Sequence, residues 1–202
     1  WTRQGEDPDA VAAFSIALLA CLRGSICLYQ GEELGLQEAA LAFEDLRDPY
    51  GIRFWPGYKG RDGARTPMPW EAGKPAAGFT TGKPWLPVPE AHRVHAVDRQ
   101  EADETSVLRQ YRRVLAFRRS WPALVHGDIS LLATGGDTLA FLRSAGNETL
   151  LCAFNFASTP AEVKLVSSLA AVESVGLPGG TGDVRGGVLQ LPPLGTFVGR
   201  VG

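Results

Sequence analysis

A helix, a tight turn and a continuous apolar run succeed one another within residues 7–29, and that succession restricts the fold more than any other feature of this 202-residue chain. Asp7-Pro8-Asp9 reads as a helix start. An aspartate side chain accepts from the first free N–H groups, proline at the first helical position gives up only an unpaired donor, and acidic charge suits the positive dipole end. Apolar side chains at Val11, Phe14, Ile16, Leu18, Leu19 and Leu22 fall on nearly every side of this helix, which predicts packing between layers. Gly24 supplies the stop. Ser25-Ile26-Cys27-Leu28-Tyr29 then has the pattern of a fully buried strand of a parallel sheet. Helix, turn and buried strand make an α/β unit. The polar stretch Gln30-Gly31-Glu32-Glu33-Leu34-Gly35 comes next, at the carboxyl end, where such folds place their ligand sites.

The rest of the chain has two further textures. Residues 37–100 show little periodicity but hold eight of the 14 prolines and three of the five tryptophans, Trp55, Trp70 and Trp85; the aromatics argue against a linker and for a functional loop. Residues 101–121 return to helical spacing, with Val107, Leu108, Tyr111, Val114, Leu115 and Phe117 on one stripe, the pairs Arg112-Arg113 and Arg118-Arg119 on a solvated face, and Pro122 as terminator. Beyond residue 125, short alternating runs at 129–133, 138–143, 149–156, 161–165, 188–191 and 196–201 are separated by Gly, Asn and Pro turns, which predicts a small antiparallel β domain. The fold class is therefore α/β followed by all-β.

Charge and composition remove several functions. Twenty basic against 22 acidic residues, with no basic run beyond paired arginines, argue against a nucleic-acid partner. The longest apolar stretch, residues 10–22, is shorter than the roughly 20 residues of a membrane span. Three cysteines, Cys21, Cys27 and Cys152, have neither disulfide-framework nor zinc spacing and read as buried small hydrophobes. Free thiols lean toward the cytoplasm, although any leader would lie upstream of Trp1. His92, His95 and His126 give no metal-ligand set, and no nucleophile elbow, phosphate loop or Cys/His pairing is present, so no cofactor or metal is expected.

Two constellations remain. Glu32 and Glu33 are adjacent, so on an extended chain they point opposite ways and at most one faces a given pocket; the other role is a salt bridge or helix-end contact. Gly60-Arg61-Asp62-Gly63-Ala64-Arg65-Thr66-Pro67-Met68-Pro69-Trp70 mixes charge, glycine and aromatic in a way that suits a neutral polyhydroxyl ligand, since guanidinium and carboxylate groups bind vicinal hydroxyls and sugar faces stack on rings. The competing reading makes Arg61 and Asp62 one buried structural ion pair and Trp70 a core anchor.

Residues 22–35, Phe43-Glu44-Asp45-Leu46-Arg47-Asp48-Pro49-Tyr50-Gly51 and the 60–70 motif resemble the C-terminal third of α-glucosidases of glycoside hydrolase family 13, the α-amylase superfamily. The resemblance implies the C-terminal part of a (β/α)8 barrel over residues 1–122, with strand eight at 26–30, a long active-site loop and a last helix at 101–121, followed by a small antiparallel β-sandwich over 123–202. It implies a retaining hydrolase of α-glucosidic bonds in small oligosaccharides. The family's catalytic Asp, Glu and second Asp belong upstream, Trp1-Thr2-Arg3 being similar to the residues just past the last of them, so this chain carries no catalytic residue, lacks the N-terminal part of the barrel and is expected to be inactive alone. The sugar-binding rim is the part that carries over. Arg61 matches the arginine that holds the non-reducing glucose, with its acidic partner upstream, so it is expected to be an unpaired charge here. Glu32 and Glu33 lie where the sugar after the cleaved bond binds, and Asp62, Arg65 and Trp70 brace the loop. An isomerase or transglycosylase of the same family, or a non-catalytic carbohydrate-binding or scaffold protein, would keep the same motifs.

Overall fold

The computed structural model describes residues 7–166, 169 and 172–202, so the Trp1-Thr2-Arg3 likeness lies outside the described residues. The chain forms two compact units, residues 1–27 with 110–202 and residues 28–109, and each is described by itself.

In the first unit, helix α1 (Pro8–Cys21) starts as the sequence predicts: Asp7 accepts the backbone N–H of Asp9 at 3.1 Å and Pro8 opens the helix. Its carbonyl end is held by two arginines. Arg118 donates to the carbonyls of Ala20, Leu22 (3.0 Å) and Gly24 (2.8 Å), and the fully buried Arg143 donates to those of Cys21 (2.5 Å), Gly127 (2.9 Å) and Asp128 (3.3 Å). Cations at the negative end of the dipole satisfy acceptors that the helix leaves over. Arg118 is thus buried, not on the solvated face that the sequence suggests; Arg119 is exposed.

Helix α5 (Val107–Ser120) begins with its apolar stripe, six residues after the start of the expected helical segment 101–121, because side chains near residue 103 end the helical run locally. Asp103 accepts the Thr105 N–H and hydroxyl, while Gln100 takes the Leu108 N–H on its side chain and the Ser106 hydroxyl on its carbonyl. A separate α4 (Val97–Ala102) precedes it, and α6 (Pro122–His126) comes after it.

The predicted strands form β1 (Asp128–Leu132), β2 (Thr138–Ala145), β3 (Glu148–Asn155), β4 (Ala161–Lys164), β7 (Val188–Leu191) and β8 (Thr196–Arg200). Two short strands, β5 (Glu173–Ser174) and β6 (Asp183–Arg185), complete one antiparallel sheet in the order β1-β2-β3-β8-β5 and a second in the order β4-β7-β6. Neither is long enough to show alternation. Strand β3 explains the layering: Leu150, Cys152 and Phe154 join Phe14, Cys21 and Leu124 in one core, whereas Leu151 and Ala153 join Leu189, Leu191 and Phe197 in another. Period-two alternation on a strand buried on both faces produces its near-continuous apolar run.

Residues 25–29 differ from expectation. They pair with no strand among the described residues, Cys27 is exposed and Tyr29 is 49% exposed. A strand needs a neighbour to accept its hydrogen bonds, and an apolar run without one stays uncovered. Cys21 and Cys152 are buried as predicted, and burial, followed by the neighbouring Cys21, pushes the Cys152 thiol well up.

In the second unit, α2 (Pro49–Phe54) and α3 (Glu90–Arg93), with α4, punctuate long loops around a small core of Leu41, Leu46 and Leu86, flanked by Ala39 and Trp55. Among the described residues, no helix is long and apolar enough to cross a membrane, and no group of three His, Cys, Asp or Glu side chains could hold a metal ion.

Candidate functional site

Two Arg-Asp doublets, Arg47-Asp48 and Arg61-Asp62, interlock within the second unit. Asp48 precedes Pro49 and caps α2, accepting the Tyr50 N–H at 3.0 Å. Its other oxygen accepts both the backbone N–H and the side-chain Nε–H of Arg61, each at 3.1 Å, with Arg65 Nη1 at 3.9 Å. Asp62 answers in the opposite direction: Oδ2 accepts the backbone N–H groups of Arg47 and Asp48, each at 2.6 Å. Each doublet therefore holds the other, one through a guanidinium and one through amides.

This arrangement corrects both readings of Arg61. It is neither unpaired nor bound to Asp62; its partner is Asp48, from a motif already in the chain. The Asp48 side chain is fully buried while that of Arg61 is 63% exposed, so the pair is anchored on one side and open on the other. The Arg61 hydrogen bond is the main cause holding the Asp48 carboxyl below its ordinary value, and Asp48 in turn raises Arg61. Only Nε of the Arg61 side chain is engaged among the described residues, which leaves the Nη edge of the fork for planar, paired recognition.

Glycine makes the approach between the motifs possible. Gly60 has φ +75°, and a Cβ there would meet the Asp48 Cβ at 2.9 Å; one on Gly63 would lie 2.6 Å from the Ala39 carbonyl oxygen. The close approach of two backbones admits no side chain.

The adjacent glutamates separate in role. Glu33 turns back and accepts the Gly31 N–H at 2.9 Å, closing a short 3-10 turn over Glu32–Leu34. Glu32 is exposed, and its carboxylate makes no hydrogen bond or ion pair among the described residues. Adjacency alone leaves these two equivalent; a helix-end contact consumes Glu33.

A third group ties the Glu32 turn to the Arg61 loop. Gln30 Nε2 donates to the Thr66 carbonyl at 3.2 Å, Thr66 Oγ1 lies 3.2 Å from His92 Nδ1, and His92 Nε2 lies 2.8 Å from the Gln37 carbonyl oxygen. A carbonyl only accepts, so Nε2 carries the proton and the neutral ring accepts the threonine hydroxyl at Nδ1. Burial holds His92 below its ordinary value, in keeping with that neutral form. Gln100 Nε2 adds a bond to the Leu34 carbonyl at 2.8 Å.

Trp70 stands apart from these contacts. The residue is 48% exposed, and its backbone makes the ties, N–H to the Ala77 carbonyl at 2.9 Å and carbonyl from the Asp98 N–H at 3.0 Å. Sequence reasoning does not single out Asp48, Thr66 or His92 as site residues. Asp48-Pro49 repeats the Asp-Pro cap signal of Asp7-Pro8, so its cap is legible, but its partner 13 residues on is not.

The group can bind polar ligands through one guanidinium edge and one free carboxylate. Glu33, Asp48 and Asp62 are each engaged by backbone donors.

Residues 1–127 match the family model described as alpha amylase, catalytic domain. The whole chain is 46% identical to a probable alpha-glucosidase of Rhizobium meliloti (strain 1021), of which it covers 36%. Over 176 residues, 78% of the chain, it is 33% identical to a probable oligo-1,6-glucosidase 2 of Bacillus subtilis (strain 168), covering 31% of that protein. The crystal structure of the alpha-glucosyl transfer enzyme XgtA superposes with a TM-score of 0.91 at 48% identity, covering 98% of this chain and 37% of that one. The chain thus spans about a third of the length of the relatives it matches.

Proposed function

This chain belongs to the alpha-amylase family, and on that footing we propose that it is the C-terminal segment of a retaining α-glucosidase, supplying sugar-binding groups to a site whose catalytic carboxylates lie upstream. On this reading residues 1–122 close a (β/α)8 barrel, with residues 26–30 as its eighth strand, and residues 123–202 form the C-terminal β-sandwich. The unpaired, uncovered run at 25–29 supports it, because a barrel strand is completed by neighbours on both sides.

One observation carries the binding role. Arg61 is fixed on a buried carboxylate through Nε and its backbone, with its outer edge left to a ligand. A preorganised fork of this kind binds adjacent hydroxyls at little entropic cost. Glu32 is the glutamate assigned to the sugar beyond the cleaved bond, since Glu33 is spent on Gly31. Asp62 and Arg65 hold the loop, and the Trp70 backbone braces it.

The test is kinetic, in the longer protein that includes the upstream sequence. Arg61→Ala is expected to lower kcat/KM on maltose by roughly 10- to 150-fold, the equivalent of about 1.5–3 kcal/mol for a charge-assisted contact. The 202-residue chain alone is expected to turn over no α-glucoside. Activity of the isolated chain, or an Arg61→Ala enzyme at full rate, would defeat the assignment.

A second reading has specific support, since XgtA is described as an alpha-glucosyl transfer enzyme. Hydrolysis and transfer share the glucose contacts and differ in the acceptor. Product analysis on maltose and sucrose separates them: hydrolysis releases two glucose per maltose and equal glucose and fructose from sucrose, whereas transfer releases only the leaving sugar and puts the other glucose into new oligosaccharides, and isomerisation gives a new disaccharide.

A further inference from the structure

The turn that presents Glu32 is tied at both ends to one pair of residues, through the Thr66 backbone at one end and the His92 ring at the other. At its start, Gln30 reaches the Thr66 carbonyl; at its finish, the Gln37 carbonyl receives His92 Nε2–H; and Thr66 and His92 are joined through hydroxyl and ring. The turn is also closed on itself, with Leu36 N–H donating to the Gly31 carbonyl at 2.9 Å, Leu34 N–H to the same carbonyl at 3.1 Å and Gly35 N–H to that of Glu32 at 3.1 Å. Both members of the pair are buried, Thr66 at 5% and His92 at 5% exposure, so water does not compete freely for their bonds. Thr66 sits five residues after Arg61 in the same loop, while His92 belongs to a separate segment, α3.

From this circuit we propose that Thr66 and His92 are positioning residues, a clamp that fixes the Glu32 turn against the Arg61 loop and so sets the affinity for the sugar on the leaving side of the bond. The proposal rests on the α-glucosidase reading for its substrate and on geometry alone for the clamp. Neither residue is assigned contact with the sugar. Among the described residues the Glu32 carboxylate has no tether of its own, so the placement of its backbone governs where that carboxylate stands. A turn hinged at one end would sample many positions, and the bound sugar would have to select one of them.

Thr66→Val removes the hydroxyl while keeping the shape and the carbonyl that Gln30 uses, and Thr66→Ser restores the hydroxyl. In the longer protein, hydrogen exchange of the peptide spanning residues 30–37 is expected to quicken by about tenfold in Thr66→Val and in His92→Phe, with Thr66→Ser unchanged. KM for maltose is expected to rise roughly tenfold with kcat within about twofold, whereas an aryl α-glucoside, which places no sugar beside Glu32, keeps its KM. Unchanged exchange at 30–37 in Thr66→Val overturns the clamp, and equal loss on both substrates overturns its role in selecting the leaving sugar. If the unaltered protein turns over neither substrate, the α-glucosidase reading falls instead, and the exchange result by itself decides the clamp.

Discussion

One oxygen of Asp48 receives both the backbone N–H and the Nε–H of Arg61, each at 3.1 Å. The Arg61 contact is the chief reason the Asp48 carboxyl titrates below its ordinary value. A carboxyl lowered by folding contributes stability that is full above the unfolded value, near pH ~3.9, and is lost as pH falls through the lower folded value. Tryptophan fluorescence, reporting through Trp55 at the end of α2, should therefore show an acid step below about pH 4 that Asp48→Asn lacks. A step of the same size in Asp48→Asn would place the titration elsewhere.

Asp62 acts on the backbone, so its removal should be felt as stability. Asp62→Ala leaves the Arg47 and Asp48 N–H groups without their acceptor, and a cost of about 2–4 kcal/mol in urea unfolding is expected. Asp62→Asn keeps an acceptor and should cost less. Gly63→Ala forces a Cβ to within 2.6 Å of the Ala39 carbonyl oxygen and should cost about 1–3 kcal/mol.

Arg143 is fully buried and spends its donors on the Cys21, Gly127 and Asp128 carbonyls, joining the end of α1 to the turn before β1. Arg143→Met fills much of the same space yet leaves those acceptors short of donors. Thermal unfolding should report a loss of about 2–4 kcal/mol, with Arg143→Lys intermediate because it offers fewer donors without the planar fork.

His92 folds into a site that holds it neutral, chiefly by burial, so the unfolded chain binds more protons than the folded one as pH falls below about 6.5. Stability should decline from that pH downward until the folded value is passed, and be level above it. Urea midpoints at pH 8 and pH 5 should differ less in His92→Gln than in the unaltered protein.

Cys27 is the exposed thiol of the three. In the 202-residue chain a thiol reagent should label Cys27 quickly and reach Cys21 and Cys152 only in denaturant, since those thiols are buried and Cys152 is held in its protonated form. In the longer protein Cys27 should be protected, because a barrel strand would cover it. Equal labelling in both would contradict the strand-eight assignment.

Local chemistry made much of the architecture readable from the residues. The Asp7-Pro8 start of α1, the stripe of α5 and the alternation of the longer strands each depend on near neighbours, so spacing alone revealed them. The family motifs were legible for the same reason. Tertiary structure alone decided the pairings: Arg61 with Asp48, Arg118 and Arg143 with the end of α1, and His92 with Gln37 55 residues away. A guanidinium or imidazole looks the same in sequence whether water or a distant carbonyl satisfies it. Only the fold brings the acceptor within about 3 Å and excludes the competing water, and that separates a solvated charge from a structural one.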